Sequence, residues 1–177
     1  MKTLKLVCVL LAGTLLNSCS FFEDKGIASY MSDMETQYVW TDTPSPNLLV
    51  NDMAYSGTMV CRIDAANAYS PTFNLKVKEC ANGVVPTVVK VGAWLKCTSN
   101  EAKPTLVVEV RDENKNPLTW MGENFTGPKL ILNEWSYYEH EFKLSSDYMK
   151  ENNYLRIYCT NDRTQAVLCD DLSVVFY

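Results

Sequence analysis

The chain alternates short apolar runs with clusters of turn residues, a pattern typical of β-strands joined by tight connections. A short first strand is predicted near residues 32–38, and only residues 145–152 have a helical pattern. About nine strands with almost no helix predict an all-β sandwich that forms one domain. The eight main runs, rich in Val, Ile, Thr and aromatic residues, are 58–64, 72–79, 88–98, 105–112, 118–124, 135–144, 154–160 and 167–176.

Successive side chains of a strand point to opposite faces, and most of these runs have one apolar row and one row of charged and aromatic residues. Trp94 and Lys96 alternate with apolar positions in the third run. Arg111 lies on the polar row of the fourth run, and Arg156 and Tyr158 lie on that of the seventh. The alternation therefore predicts that these side chains point away from the core.

The N-terminal segment has the pattern of a bacterial lipoprotein signal peptide over residues 1–18. Two lysines precede the apolar run 6–16, which would span roughly 16 Å as a helix, too short to cross a bilayer. The run ends in Leu16-Asn17-Ser18-Cys19, which resembles the lipobox, so Cys19 is the predicted acylated residue of a stable lipid anchor. The alternative is an ordinary secretory signal with an incidental cysteine. Residues 19–30 are then a polar tether, and the sandwich occupies residues 31–177.

Two features after the lipobox predict the final location. Ser20 stands where many lipoproteins of the inner membrane have Asp, which favours the outer membrane. The segment Glu23-Asp24-Lys25 is similar to the acidic export signals of Bacteroidota surface lipoproteins, and this favours display at the cell surface. The predicted partners therefore include the membrane, through the anchor, and neighbouring surface proteins.

Charge and composition exclude several function classes. The chain has 16 basic and 21 acidic residues, a formal net charge of −5. Without the first 18 residues, 14 basic residues remain against 21 acidic ones, which argues against nucleic acid as a partner. His140 is the single histidine, and its row between Tyr138 and Phe142 predicts a partly buried ring. No hydrolase, phosphate-loop or zinc-protease motif is present, so no enzyme activity is predicted.

Five cysteines follow the lipobox: Cys61, Cys80, Cys97, Cys159 and Cys169. Their number is odd and their spacing contains no CxxC motif. Three of them fall in apolar strand-like runs, where a thiol behaves as a small hydrophobic group. Buried free thiols are the main expectation.

The order of four motifs resembles the galactose-binding-like jelly roll of carbohydrate-binding modules. The motifs are the acidic opening 33–35, the segment 54–61 with Tyr55-Ser56-Gly57, a Trp135 before a long late strand, and the closing Asp170-Asp171. The similarity spans nearly all of the predicted domain. Two positions depart from the pattern: Met34 stands where Phe is usual, and Tyr55 stands where His is usual.

Asp170 is a candidate metal ligand for two separate reasons. It lies two residues from Leu168 and two from Leu172, so alternation in the last run places all three on the same face. A carboxylate that points inward must be paired or bound to a metal. The resemblance implies a structural calcium held by Glu35, by Asp170 and by backbone oxygens near Gly57 and Thr58, an oxygen-only set that suits this ion. Two alternatives stay open. In the first, Asp170 is instead a turn cap at the solvent-exposed start of its strand. In the second, the register is shifted by one residue and Asp171 is the ligand.

The resemblance favours a non-catalytic glycan-binding module. Sugars present apolar C–H faces and rings of hydroxyl groups, so their sites pair aromatic platforms with a few polar donors. For Trp94, packing and ligand binding remain equal alternatives. The second hypothesis is a structural or protein-interaction component of the outer surface that uses the same sandwich. The candidate ligand-binding residues are Trp94, Lys96, Arg111, Arg156 and Tyr158 on outward rows and Trp120 near a strand end.

Overall fold

The computed structural model describes residues 26–36, 40, 48–125, 131–162 and 165–177. Within these ranges the chain forms ten strands and one four-residue helix. No helix in this part of the chain is long and apolar enough to cross a membrane. The elements are β1 (Ala28–Ser32), β2 (Leu49–Val50), β3 (Val60–Ile63), β4 (Phe73–Lys76), α1 (Val77–Cys80), β5 (Val88–Cys97), β6 (Thr105–Arg111), β7 (Pro117–Asn124), β8 (Ser136–Lys143), β9 (Tyr154–Thr160) and β10 (Val167–Phe176).

The strands form two antiparallel sheets. The first sheet has the order β2-β3-β10-β5-β8, with β1 also paired to β10 beyond the end of β3. The second sheet has the order β4-β9-β6-β7. Strand neighbours in space are therefore mostly distant in sequence, as expected for a jelly roll. The predicted all-β jelly-roll sandwich is confirmed.

The core lies between the two sheets and is built by strict alternation. In β5, Val89, Val91, Ala93, Leu95 and Cys97 are all buried, and the intervening residues point outward. The second sheet contributes the matching inward rows of β6 and β9. Burial of these apolar side chains is the main favourable term in folding. The inward residues of β6 and β9 are Leu106, Val108, Val110, Leu155, Ile157 and Cys159.

The first strand begins earlier than the sequence predicts. It covers Ala28–Ser32 rather than residues near 32–38, and its register pairs Ala28 with Phe176. The chain is already fixed at Ile27, whose N–H donates to the Phe176 carbonyl at 2.7 Å. Part of the segment predicted as tether is therefore a strand of the first sheet. Tyr38, the predicted end of that strand, lies outside the described residues.

The helix is also at a different place from the predicted one. Residues 145–152 form successive turns, in which the Ser145 carbonyl accepts from the N–H of Met149 at 3.1 Å. The helix instead falls at the end of the run 72–79, directly after β4, and its first residue Val77 still donates its N–H to the Asn153 carbonyl at 2.9 Å. The two-residue strand β2 was not predicted, since two residues are too few for an alternation to be visible.

The five cysteines outside the N-terminal segment are all buried and free, which confirms the prediction for them. Cys61 and Cys169 lie opposite each other on β3 and β10. Burial raises the pKa of Cys80 and of Cys97 to about 12. These thiols are therefore protonated and act as core side chains.

A bulge in β10 changes the parity that the sequence suggests. Asp170 pairs with Trp94 and Ser173 with Gly92, so the register against β5 shifts between Asp170 and Ser173. Asp171 takes a φ of 46° inside this bulge. Leu172 and the alternate residues after it face the core, whereas Asp170 lies on the opposite, outer face of the first sheet. The prediction that Asp170 points inward with Leu172 is therefore wrong, because a bulge adds a residue that alternation cannot anticipate.

Asp170 is nevertheless fully buried, because a loop covers it. Its Oδ2 accepts the N–H of Tyr55 at 2.9 Å and that of Ser56 at 3.1 Å, and its Oδ1 accepts the N–H of Asp171 at 2.9 Å. Desolvation raises the pKa of this carboxyl, and the three N–H donors oppose the shift. The carboxyl group thus holds one half of the loop onto the sheet.

Glu35 holds the other half of the same loop. Its Oε1 accepts the N–H of Thr58 at 2.7 Å and that of Met59 at 2.9 Å, and its Oε2 accepts the Thr58 hydroxyl at 2.9 Å. Gly57, with a φ of 61°, allows this approach, because a Cβ there would overlap the Glu35 carboxylate. These hydrogen bonds, that of Met59 first, lower the pKa of Glu35.

Replacement of Glu35 by glutamine is predicted to lower the melting temperature at pH 7, because a neutral amide oxygen accepts these N–H groups more weakly than a carboxylate does. The folded-state pKa lies below that of the unfolded chain, so the contribution is complete above about pH 4.5 and is lost as the pH falls through the folded value. The difference in melting temperature between Glu35→Gln and the unmodified chain should thus shrink toward pH 3. Glu141→Gln, at an exposed position of β8, is the matched control. A difference that stays constant with pH would contradict the assigned role.

Candidate functional site

The outer face of the second sheet carries a polar row to which all four strands contribute. Asn74 of β4 pairs with Arg156 of β9, Arg156 pairs with Glu109 of β6, and Glu109 pairs with Trp120 of β7. Neighbouring strands are about 4.8 Å apart, so these side chains form one line of roughly 15 Å across the sheet. We call the outward-facing residues of this sheet, together with the adjoining Tyr69, the platform face.

Glu109 organises the centre of this row. Its Oε1 accepts from Arg111 Nε at 2.7 Å, and its Oε2 accepts from Arg156 Nη1 at 2.8 Å. The Glu109 side chain is only 5% exposed, whereas those of Arg111 and Arg156 are 34% and 27% exposed. Charge-assisted bonds of this length restrict both guanidinium groups. The carboxylate therefore holds two cations at the surface with their outer edges toward solvent.

Aromatic side chains lie beside these ion pairs. The Trp120 indole is 56% exposed and lies over Gly122, where a Cβ would overlap the ring. Tyr158 is buried, and Tyr69, which is half exposed, packs edge-on against it with 5.3 Å between ring centroids. Desolvation and the nearby Glu109 charge raise the pKa of Tyr158, while a hydrogen bond with Trp120 opposes this. Trp120 and Tyr69 are the exposed rings of the platform face.

A depression of about 360 Å³ adjoins the polar row on the side of β4 and β9. It is lined by Asn74, Arg111, Lys115, Tyr154 and Arg156. Its volume lies within the range of small-ligand sites. Polar groups thus surround a concave site on the same face as the exposed Trp120 indole.

The outer face of the first sheet has its own aromatic group, in which the loop residue Tyr55 covers Trp94. Tyr55 stacks on Trp94 with centroids 3.8 Å apart and an interplanar angle of 16°. Trp135 packs edge-on against Tyr55, and its Nε1 donates to the Met53 carbonyl at 3.2 Å. Of the two alternatives for Trp94, the structure therefore favours packing. Lys96, two residues further on the same face, is buried opposite Leu168.

The structure divides the predicted ligand-binding residues between the two sides of the sandwich. It brings Arg111, Arg156, Tyr158 and Trp120 together on the platform face. Trp94 and Lys96 lie on the outer face of the first sheet, so the six residues do not form one surface.

Several residues of the platform face were not predicted as site residues. Glu109 and Asn74 are the outward neighbours of Arg156 in the register, so the polar row of the fourth run could have indicated Glu109. Tyr69 lies in a connection outside the named strands, anchored by a bridge to Thr160, and no alternation signals it.

The residues predicted to hold calcium all meet at one loop, but largely through hydrogen bonds. Glu35 and Asp170 suit calcium by charge and by oxygen chemistry. In the described conformation each carboxylate accepts three hydrogen bonds, and the donors include the N–H of Thr58 and of residues next to Gly57. These groups compete with an ion for the same oxygens. Among the described residues, no three His, Cys, Asp or Glu side chains converge as a metal site.

Comparison with known proteins gave matches for the structure but none for the sequence as a whole. No protein-family model matches the chain, and no curated protein matches it.

Three solved structures of family 22 carbohydrate-binding modules match most of the chain. The first xylan-binding domain of a Paenibacillus barcinonensis protein has a TM-score of 0.52 and 18% identity, over 86% of this chain and 96% of its own. The second xylan-binding domain of that protein has a TM-score of 0.53 and 10% identity, over 84% and 99%. A C-terminal module from Clostridium thermocellum has a TM-score of 0.52 and 12% identity, over 83% and 92%. The chain has the galactose-binding-like jelly-roll fold of these modules.

Proposed function

We propose that this chain is a non-catalytic glycan-binding module whose ligand lies on the platform face. The observation that carries the proposal is the exposed Trp120 indole, seated over Gly122 beside two arginines that a buried glutamate holds in place. An indole with one open face offers a stacking surface for the C–H face of a sugar ring. The xylan-binding domains that share this fold support the proposal by analogy.

The polar row supplies the directional contacts that such a ligand needs. Sugar hydroxyl groups can accept from the guanidinium of Arg156 and exchange hydrogen bonds with the amide of Asn74. Because Glu109 already restricts both arginines, little side-chain entropy is lost when a ligand binds. The row crosses four strands, so an extended chain of sugars is a better match than a single ring.

Catalysis is not part of this proposal. The His140 ring packs against Phe142, with centroids 4.7 Å apart, on the strand β8 of the first sheet. His140 pairs with Val91, whose side chain faces the core. The His140 ring therefore also lies on the core side of the first sheet, away from the platform face. A general base at His140 therefore cannot serve a ligand stacked on Trp120.

The direct test is a binding screen of the full chain, in mild detergent, against a panel of plant, microbial and host polysaccharides. Trp120→Ala is expected to weaken saturable binding about two- to ten-fold, since a stacking contact on an aromatic ring contributes about 0.5–1.5 kcal/mol. Tyr55→Ala is the matched control, because Tyr55 is a 44% exposed aromatic residue over the other sheet and its own bond to Asp170 uses the backbone N–H. Loss of binding in Tyr55→Ala alone would move the site to the first sheet. Absence of binding to every polysaccharide of the panel would favour the protein-interaction hypothesis.

We also propose that the chain is anchored in the outer membrane through acylated Cys19 and displayed at the cell surface. This rests on the lipobox-like sequence, because residues 1–25 lie outside the described part of the chain. Cys19→Ala is expected to leave the protein without acyl chains. It should also release the protein from the membrane fraction, because those acyl chains are the proposed anchor. Mass spectrometry of the N-terminus and membrane fractionation measure both effects. An unchanged membrane fraction would contradict the proposed anchor.

Calcium at the loop held by Glu35 and Asp170 remains a proposal supported by the family resemblance. An ion that binds only the folded state raises stability by mass action, so chelation is expected to lower the melting temperature and added calcium to restore it. Magnesium at equal concentration is the control, because it demands a smaller octahedral site. An identical melting temperature with chelator and with calcium would mean that hydrogen bonds alone hold this loop.

A further inference from the structure

The depression beside the polar row is strongly cationic. Of the residues that line it, Arg111, Lys115 and Arg156 are cations and none is an acid. The buried Glu109 beneath them neutralises one charge, which leaves a local excess of two positive charges. The whole chain has a formal net charge of −5, so this concentration of cations runs against its overall balance.

The two arginines retain capacity to bind a second partner. A guanidinium carries five N–H donors, and each arginine donates from a single nitrogen to Glu109. Arg156 also lies over the Tyr158 ring, 5.6 Å from its centroid. A planar group with free edges and a restricted orientation suits bidentate contact with a carboxylate or sulfate.

Lys115 reaches the depression from the turn that joins β6 and β7. In this turn the Lys115 N–H donates to the Asp112 carbonyl at 2.9 Å, and Lys115 has a φ of 68°. That backbone region favours Gly and Asn over Lys, so the turn itself gives no reason for a lysine.

Asp112 is the acidic group of the same turn. Its carboxylate accepts from the N–H groups of Asn114 and Asn116 and from the side chain of Asn116, and these bonds lower its pKa. Asp112 is therefore engaged within the turn and does not line the depression, so the cations there remain available to a ligand.

From this geometry we propose that the ligand is an anionic glycan, with a sugar ring on Trp120 and a carboxylate or sulfate group in the depression. The inference rests on the proposed function and narrows its ligand class. The register places Trp120 two strands away from Arg156, about 10 Å across the sheet, which is the span of roughly two sugar units. One polysaccharide chain can therefore contact both.

The test compares matched polysaccharides on the full chain in mild detergent. The probes are polygalacturonate for the carboxylate, a sulfated galactan for the sulfate, and neutral galactan and xylan for the uncharged case. Binding of at least one anionic probe should be tighter than that of the neutral probes. It should weaken several-fold between about 50 mM and about 500 mM NaCl, because salt screens charges at a surface.

Lys115→Asn removes one cation and suits the left-handed backbone of the turn. This substitution is expected to weaken binding of the anionic probe about five- to ten-fold, which is the effect of losing one charge-assisted contact. Lys143→Asn, on the first sheet, removes the same charge far from the platform face and is the control. A melting curve of each variant checks that the fold is intact.

The outcomes separate this inference from the proposed function. Equal binding of anionic and neutral probes, with Trp120→Ala weakening both, would overturn the anionic preference and leave glycan binding in place. An equal effect of Lys115→Asn and Lys143→Asn would also overturn it, since the attraction would then be a general effect of net charge. No binding of any probe would overturn the proposed function and this inference together.

Discussion

The fold depends on the strand β10, which pairs with β5 along one side and with β1 and β3 along the other. A strand with neighbours on both sides must satisfy its backbone groups everywhere, and it must also fill the core with every second side chain. The bulge between Asp170 and Ser173 meets both demands. It lets Cys169 and Leu172 both face the core although only two residues lie between them, and it frees one carboxylate to secure the loop that covers Trp94.

The same alternation that builds the core separates the two outer faces. Inward rows of β5 and β6 meet in one apolar layer, so their outward rows must lie on opposite sides of the sandwich. On the first sheet, Tyr55 of the loop held by Asp170 and Glu35 covers Trp94. The second sheet leaves Trp120 and Tyr69 open. The difference between a packed and an available aromatic group therefore comes from a loop and not from the strands.

Alternation predicted much of the fold, including the bounds of β5 and β9 to within one residue and the outward direction of Arg111, Arg156 and Tyr158. It could not predict which strands pair. Trp94 and Arg156 follow the same rule within their strands, and only the pairing assigns them to different sheets. Asp170 was misplaced because one inserted residue reverses parity. Tyr69 was missed because a connection has no period, and it reaches Tyr158 only through tertiary structure.

The network around Glu109 is difficult to explain by stability alone. Burial of a carboxylate carries a large desolvation penalty, and apolar residues in place of a buried ion pair are often as stable or more stable. Val107 shows that an apolar residue is accommodated on the same outward row of β6, since it too is buried. If the outward row of β6 served stability alone, apolar residues such as Val107 could have occupied all of its positions. The charged row instead fixes two guanidinium groups at the surface, next to an exposed indole that folding would favour burying. Both features oppose folding energetics at the same place, and the proposed recognition of a polar, ring-shaped ligand would account for both.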